Sequence, residues 1–100
     1  MTYRIHYVRR AQKHLDKLTA LQYGLVCDVI DEQLVDQPTV ETRNRKRMRP
    51  NPIAPWELRI RDLRVYYEVK EDADRVVSIL GIGVKIRNRV WFSDEEVDFT

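Results

Sequence analysis

Glycine is scarce in this chain: Gly24, Gly81 and Gly83 are all there are. The Gly81-Ile82-Gly83 triplet is followed by neither a third glycine at the spacing of a dinucleotide fingerprint nor a helical pattern, so close backbone packing explains it better than nucleotide binding. Cysteine is scarcer still. Cys27 stands alone in an apolar helical stretch, which excludes a disulfide framework and fits a small buried side chain in a reducing compartment. The only histidines, His6 and His14, fall on the first strand and first helix, outside the basic part of the chain, where exposure or a hydrogen bond is the usual fate. Nothing in the residue pattern asks for a metal or a cofactor. No apolar run is long enough to span a membrane and no signal-peptide region opens the chain, so a cytoplasmic protein with no membrane partner is expected.

What the chain does have is charge, and the charge is segregated. The net value is only +2. Asp28 to Glu41 nevertheless carries acids without a base. Arg43 to Arg64 carries Arg43, Arg45, Lys46, Arg47, Arg49, Arg59, Arg61 and Arg64 against only Glu57 and Asp62. Lys85, Arg87 and Arg89 add to the bases, and the tail after them is acidic again. A basic middle on a nearly neutral chain implies one surface that faces a polyanion.

Residues 56–69 set the register of the rest. Trp56, Leu58 and Ile60, then Leu63, Val65, Tyr67 and Val69, alternate with polar residues in the period of two of half-buried antiparallel strands. With Arg61-Asp62 as a two-residue loop, Ile60 faces Leu63, Leu58 faces Val65 and Trp56 faces Tyr67, giving one wholly apolar face with Trp56 as a core anchor. The same register sets Arg59 against Arg64 on the other face. Like charges opposed across strands are destabilising, so this pair calls for an anion, either the diagonal Glu57 or a phosphate. A two-residue loop also prefers positive φ, which makes Arg61 an odd occupant of it.

Around that hairpin, Thr2 to Val8 suits a first strand. Arg9 to Leu18 suits a short amphipathic helix through Ala11, Leu15 and Leu18. Leu21 to Val35 suits a second helix antiparallel to the first, its start open to a shift of one turn because Gly24 costs about 1 kcal/mol relative to alanine. A short edge strand is expected near Arg45 to Met48, an extended loop before Trp56, and a central strand at Val76 to Ile82. One domain over residues 1–100 follows, of the α+β class. An N-terminal strand and a two-helix antiparallel hairpin pack on a twisted, mainly antiparallel sheet of four to five strands.

In this order the sequence resembles the RelE/ParE superfamily of toxins from bacterial type II toxin–antitoxin pairs. The resemblance is carried by Ala11 and Leu15 to Leu18, NRKRMRPNP from Asn44, WELRI from Trp56, RVYYEV from Arg64 and VVSILGIGVKIRNRVW from Val76. It implies a cognate antitoxin as partner and one of two actions. RelE-like toxins enter the ribosome and cleave messenger RNA; ParE-like toxins poison DNA gyrase without cutting anything. A basic RNA-binding domain outside any toxin pair is a third possibility. For the RNA-cleaving action, the resemblance implies Arg64 as a phosphate clamp and Arg59 as a second cation. Lys85 then stands where RelE has a catalytic arginine, and Trp91 where it has a tyrosine that contacts substrate. Lysine keeps the charge and loses the planar fork, and tryptophan keeps stacking and loses the hydroxyl. Arg43, Arg45, Lys46, Arg47, Arg49, Arg61, Arg87 and Arg89 are the expected contacts to RNA phosphates.

Overall fold

The computed structural model describes residues 2–100. The elements run β1 (Arg4–Tyr7), α1 (Arg9–Asp16), α2 (Ala20–Leu34), β2 (Arg45–Arg47), β3 (Trp56–Ile60), β4 (Leu63–Lys70), β5 (Val76–Ile86), β6 (Arg89–Phe92) and β7 (Glu95–Glu96). The β3–β4 hairpin forms in the register that its alternation dictates. Trp56 lies opposite Tyr67, Leu58 opposite Val65, Arg59 opposite Arg64 and Ile60 opposite Leu63, so the loop is the two residues Arg61 and Asp62.

Strands β2 to β7 follow one another in sequence order across the sheet, every neighbouring pair antiparallel. The N-terminal strand breaks that rule by pairing in parallel with β5 along Val76 to Ile79. Since β4 occupies one edge of β5, β1 and β6 share the other edge, β6 taking Val84 to Ile86. The sheet has seven strands among the described residues rather than the four to five expected. The excess consists of very short strands, β7 above all, and of the turn at Arg87-Asn88 that makes a hairpin of the run around Lys85 to Phe92.

In α2, the Thr19 Oγ1 accepts from the Gln22 amide at 3.1 Å while the Gln22 Oε1 accepts from the Thr19 amide at 3.0 Å. This reciprocal cap sets the start at Ala20. A later start on account of Gly24 is therefore not found. Gly24 has nothing within 4 Å of where a Cβ would stand, and the roughly 1 kcal/mol it costs is matched by a cap of similar worth. α1 closes at Asp16, two residues early, because the Lys17 and Leu18 amides bond three residues back, to His14 and Leu15, and tighten the last turn.

The core lies between helices and sheet. Ala11 and Leu15 of α1 and Val26, Ile30 and Leu34 of α2 cover Trp56, Leu58, Ile60, Leu63, Val65, Tyr67, Val77, Ile79 and Ile82. Ile79 and Ile82 reach the same face because Leu80 is an extra residue between the partners of Tyr66 and Tyr67; this bulge shifts the phase of alternation. It explains why Val76 to Ile82 reads as continuously apolar. A second, smaller cluster of Ala54, Tyr66, Val90 and Phe92 forms on the opposite face, joined by Met48, Ile53, Leu80, Val97 and Phe99.

Candidate nucleic-acid interface

Directly opposed residues share a face, so the registers place Lys46, Glu57, Tyr66 and Gly81 in one row across the sheet, on the face away from the helices. Arg59, Arg64 and Gly83 make the next row, and Lys85 follows on β5 toward the same end. The like-charged pair expected at Arg59 and Arg64 is relieved internally. Glu57 accepts from the Arg59 Nε at 2.9 Å and from the Tyr66 hydroxyl at 2.9 Å. Arg64 folds over the hairpin turn, its Nη1 donating to the carbonyls of Arg61 at 2.6 Å and Leu63 at 2.8 Å. Burial raises the Tyr66 phenol far above its ordinary value, with Glu57 adding to the effect, so this hydroxyl is a fixed donor.

Lys85 is different. It is exposed, its amide ties β5 to the β3–β4 turn through the Asp62 carbonyl at 2.6 Å, and its ammonium makes no ion pair with any described residue. Trp91 lies opposite Val84, on the other face from Lys85, which lies opposite Val90. The structure therefore gathers Arg59, Arg64 and Lys85 and leaves Trp91 apart from them.

The remaining bases divide between structure and solvent. Arg45 is buried on the helix face, its Nε on the Val40 carbonyl at 2.9 Å and its Nη1 on the Gln33 carbonyl at 2.6 Å, and it ties β2 to the end of α2. The Arg47 guanidinium lies 5.6 Å from the centre of the Trp56 ring. Arg89 pairs with Glu96 at 3.2 Å. Arg43, Arg49, Arg61 and Arg87 are exposed. Lys46, Arg47, Arg49, Glu57, Arg59 and Phe99 line a cleft of about 490 Å³ beside the proline-rich loop.

The acidic tail folds back rather than leaving the sheet. β7 pairs with β6, the Val97 amide bonds the Val90 carbonyl at 2.8 Å, and the Phe99 ring lies 5.3 Å from that of Tyr66.

His14 explains how β5 tolerates two partners on one edge. Between the stretches taken by β1 and β6, the buried Ile82 amide donates to His14 Nδ1 at 3.1 Å, and the imidazole stacks on Phe92 at 4.4 Å. An imidazolium cannot accept that bond. Burial, with Arg10 assisting and Glu95 opposing, lowers the His14 pKa below its ordinary value. A lowered folded pKa means that the unfolded chain takes up the proton first as pH falls. The stability from His14 is therefore complete above about pH 6.5 and lost as pH drops through the folded value. His14→Ala is expected to cost about 2 to 3 kcal/mol, from an unpaired buried amide and a lost stack. His14→Asn, which keeps an acceptor, should cost less and flatten stability between pH 5 and 7; urea unfolding across that range measures both.

The sequence holds one readable signal that periodicity passes over, the Thr19-x-x-Gln22 box. The burial of Arg45, the bridge made by Glu57 and the Phe99 cover depend on contacts between distant segments.

No protein-family model matches this sequence, and no curated protein matches it either. Solved structures do match. A chain of the RelBE2 toxin–antitoxin complex of Mycobacterium tuberculosis superposes with a TM-score of 0.72 over 85% of this chain and all of its own length, at 21% identity. One from the RelE–RelB complex of Pyrococcus horikoshii gives 0.68 over 87% and 99%, at 24% identity. The chain has the RelE fold. On that fold, this sequence sets three cations at one end of the sheet face away from the helices, with glycines at Gly81 and Gly83 where Phe92 crosses β5. The Phe92 ring would stand 2.6 Å from a Cβ at Gly81. Among the described residues, no helix is long and apolar enough to cross a membrane and no His, Cys, Asp and Glu cluster could hold a metal.

Proposed function

We propose that this chain is the toxin of a toxin–antitoxin pair and cleaves messenger RNA in the ribosome, in the cytoplasm. The observation that carries the reading is the convergence of Arg59, Arg64 and Lys85 on adjacent strands at one end of one sheet face, Lys85 having no partner of its own among the described residues. In RNA cleavage a ribose 2′-oxygen attacks the adjacent phosphorus, the bond to the 5′-oxygen breaks, and a 2′,3′-cyclic phosphate remains. Negative charge builds on the phosphoryl oxygens and on the leaving oxygen. Cations fixed before reaction stabilise that charge without reorganising, and such stabilisation often lowers the barrier more than any other effect. Arg64, held by two carbonyls, is such a fixed cation, and Lys85 supplies a mobile one. The structural neighbours were solved as toxin–antitoxin complexes, which supports a small antitoxin as the natural partner. Charge complementarity favours an acidic segment of that partner over the basic face.

The separation of Trp91 from Lys85 favours a second reading, a non-enzymatic toxin of DNA gyrase on the same fold. Primer extension on a defined messenger, in a purified translation system with and without ribosomes, decides between them. Cleavage at the decoding-site codon only when ribosomes are present is the expected result. An intact messenger, with supercoiling of plasmid by gyrase blocked instead, would replace the first reading by the second.

A further inference from the structure

Among the described residues, no glycine has a positive φ; the residues that do are Arg61 (57°), Arg75 (47°), Arg87 (60°) and Ser93 (56°). Arg61, Arg87 and Ser93 are each the first of two loop residues in a tight hairpin, the place where glycine is the default because a Cβ crowds the backbone there. A left-handed arginine costs stability that glycine would not.

For Arg75 an internal return is visible: its guanidinium lies 5.9 Å from the centre of the Tyr3 ring. Arg61 and Arg87 have none. Both are exposed, and neither side chain makes a hydrogen bond or ion pair with a described residue. The two loops lie at the same end of the sheet, since Leu63 is level with Val84 and the Lys85 amide is bonded to the Asp62 carbonyl. Two strand spacings, about 10 Å, separate them. Each side chain is carried on a rigid two-residue turn, beyond the end of the row that holds Arg59 and Arg64.

We infer that Arg61 and Arg87 are a paired contact to the sugar–phosphate backbone of RNA, mounted on the hairpin tips and separate from the groups that act on the scissile phosphate. The pair rests on the reading of this face as RNA-binding. It deepens that reading by assigning the tips to positioning RNA through its backbone, without base preference. Charge alone could be placed anywhere on the surface; charge kept at two positions that disfavour it, at one end of one sheet, points to a ligand at that end.

The test uses the full chain, its Arg61→Gly/Arg87→Gly double variant and Arg75→Gly, which removes one such charge and the same kind of strain at the opposite end of the sheet. Binding to a fluorescein-labelled RNA hairpin, and to a single strand of the same composition, is followed by anisotropy from 50 to 300 mM salt, and melting is followed in parallel. The double variant is expected to melt about 5 °C higher. It should bind about 30-fold more weakly at 0.1 M salt, with a slope of log K against log salt shallower by roughly 1.5 to 2, the loss of two phosphate contacts. Arg75→Gly should leave the slope unchanged. Loss of binding together with gain of stability is a result that a structural role for these arginines cannot produce. A double variant that keeps the wild-type affinity and slope overturns the pair while leaving the RNA reading intact. A wild-type chain that binds neither RNA overturns both.

Discussion

Lys85→Ala is expected to slow ribosome-dependent messenger cleavage by about 100-fold to 1000-fold while leaving the melting temperature within a degree or two. The activity loss is what removal of one charge-stabilising donor typically costs. The unchanged stability follows from exposure. The Lys85 side chain has no partner to lose among the described residues, and substitutions at such surface positions usually fall within about 0.5 kcal/mol. Lys85→Arg should recover most of the rate. Arg64→Ala is a less clean probe of the same chemistry, because the Arg64 Nη1 satisfies two carbonyls of the β3–β4 turn. Its removal would unsettle the turn that holds β5 through Asp62, so a loss of activity there would mix chemistry with folding. Single-turnover primer extension beside an unfolding curve separates the two contributions. Cutting by Lys85→Ala at the wild-type rate would remove Lys85 from the mechanism.

Gly83→Ala is expected to destabilise the fold by about 3 kcal/mol, enough to lower the melting temperature by more than 10 °C. A Cβ at Gly83 would stand 2.9 Å from the Trp91 carbonyl oxygen and 2.7 Å from the Val90 Cγ1. The carbonyl is backbone in a paired strand, so relief requires β6 to move, and with it the Phe92 ring that stacks on His14. At Gly81 the nearest atom is instead the far edge of the Phe92 ring, 2.6 Å away. A ring can tilt where a strand cannot, so Gly81→Ala should cost less, about 1 to 2 kcal/mol. Urea denaturation of both variants gives the order; equal or reversed costs would mean that β6 is more pliable than its pairing indicates.

Much of the architecture was legible because alternation is a local property. Trp56 to Val69 carried its own register, down to the opposition of Arg59 and Arg64, since every second side chain had to reach the core. The very short strands were not legible: two or three residues show no period, and β2 is written in charges, Arg45-Lys46-Arg47, of which the first is buried and the second and third are not. The bulge at Leu80 hid the faces of β5 in the same way. At the site, the face that carries Arg59 and Arg64 could be read from alternation, but the end at which Lys85 joins them could not. Nor could the Glu57 bridge, the anchoring of Arg64 and the facing of Trp91, because each is settled by where a separate segment lies.

The parallel pairing of β1 with β5 joins strands far apart in the sequence, Arg4 opposite Val76. Contacts so distant in sequence form late and slowly. During synthesis β1, α1 and α2 leave the ribosome long before the strand on which they must close. β5 also supplies Lys85, Gly81 and Gly83, so the basic face cannot assemble on a nascent chain until β5 has emerged. If the chain acts on the ribosome as proposed, it would stay inert until β5 has emerged and found β1 and β4.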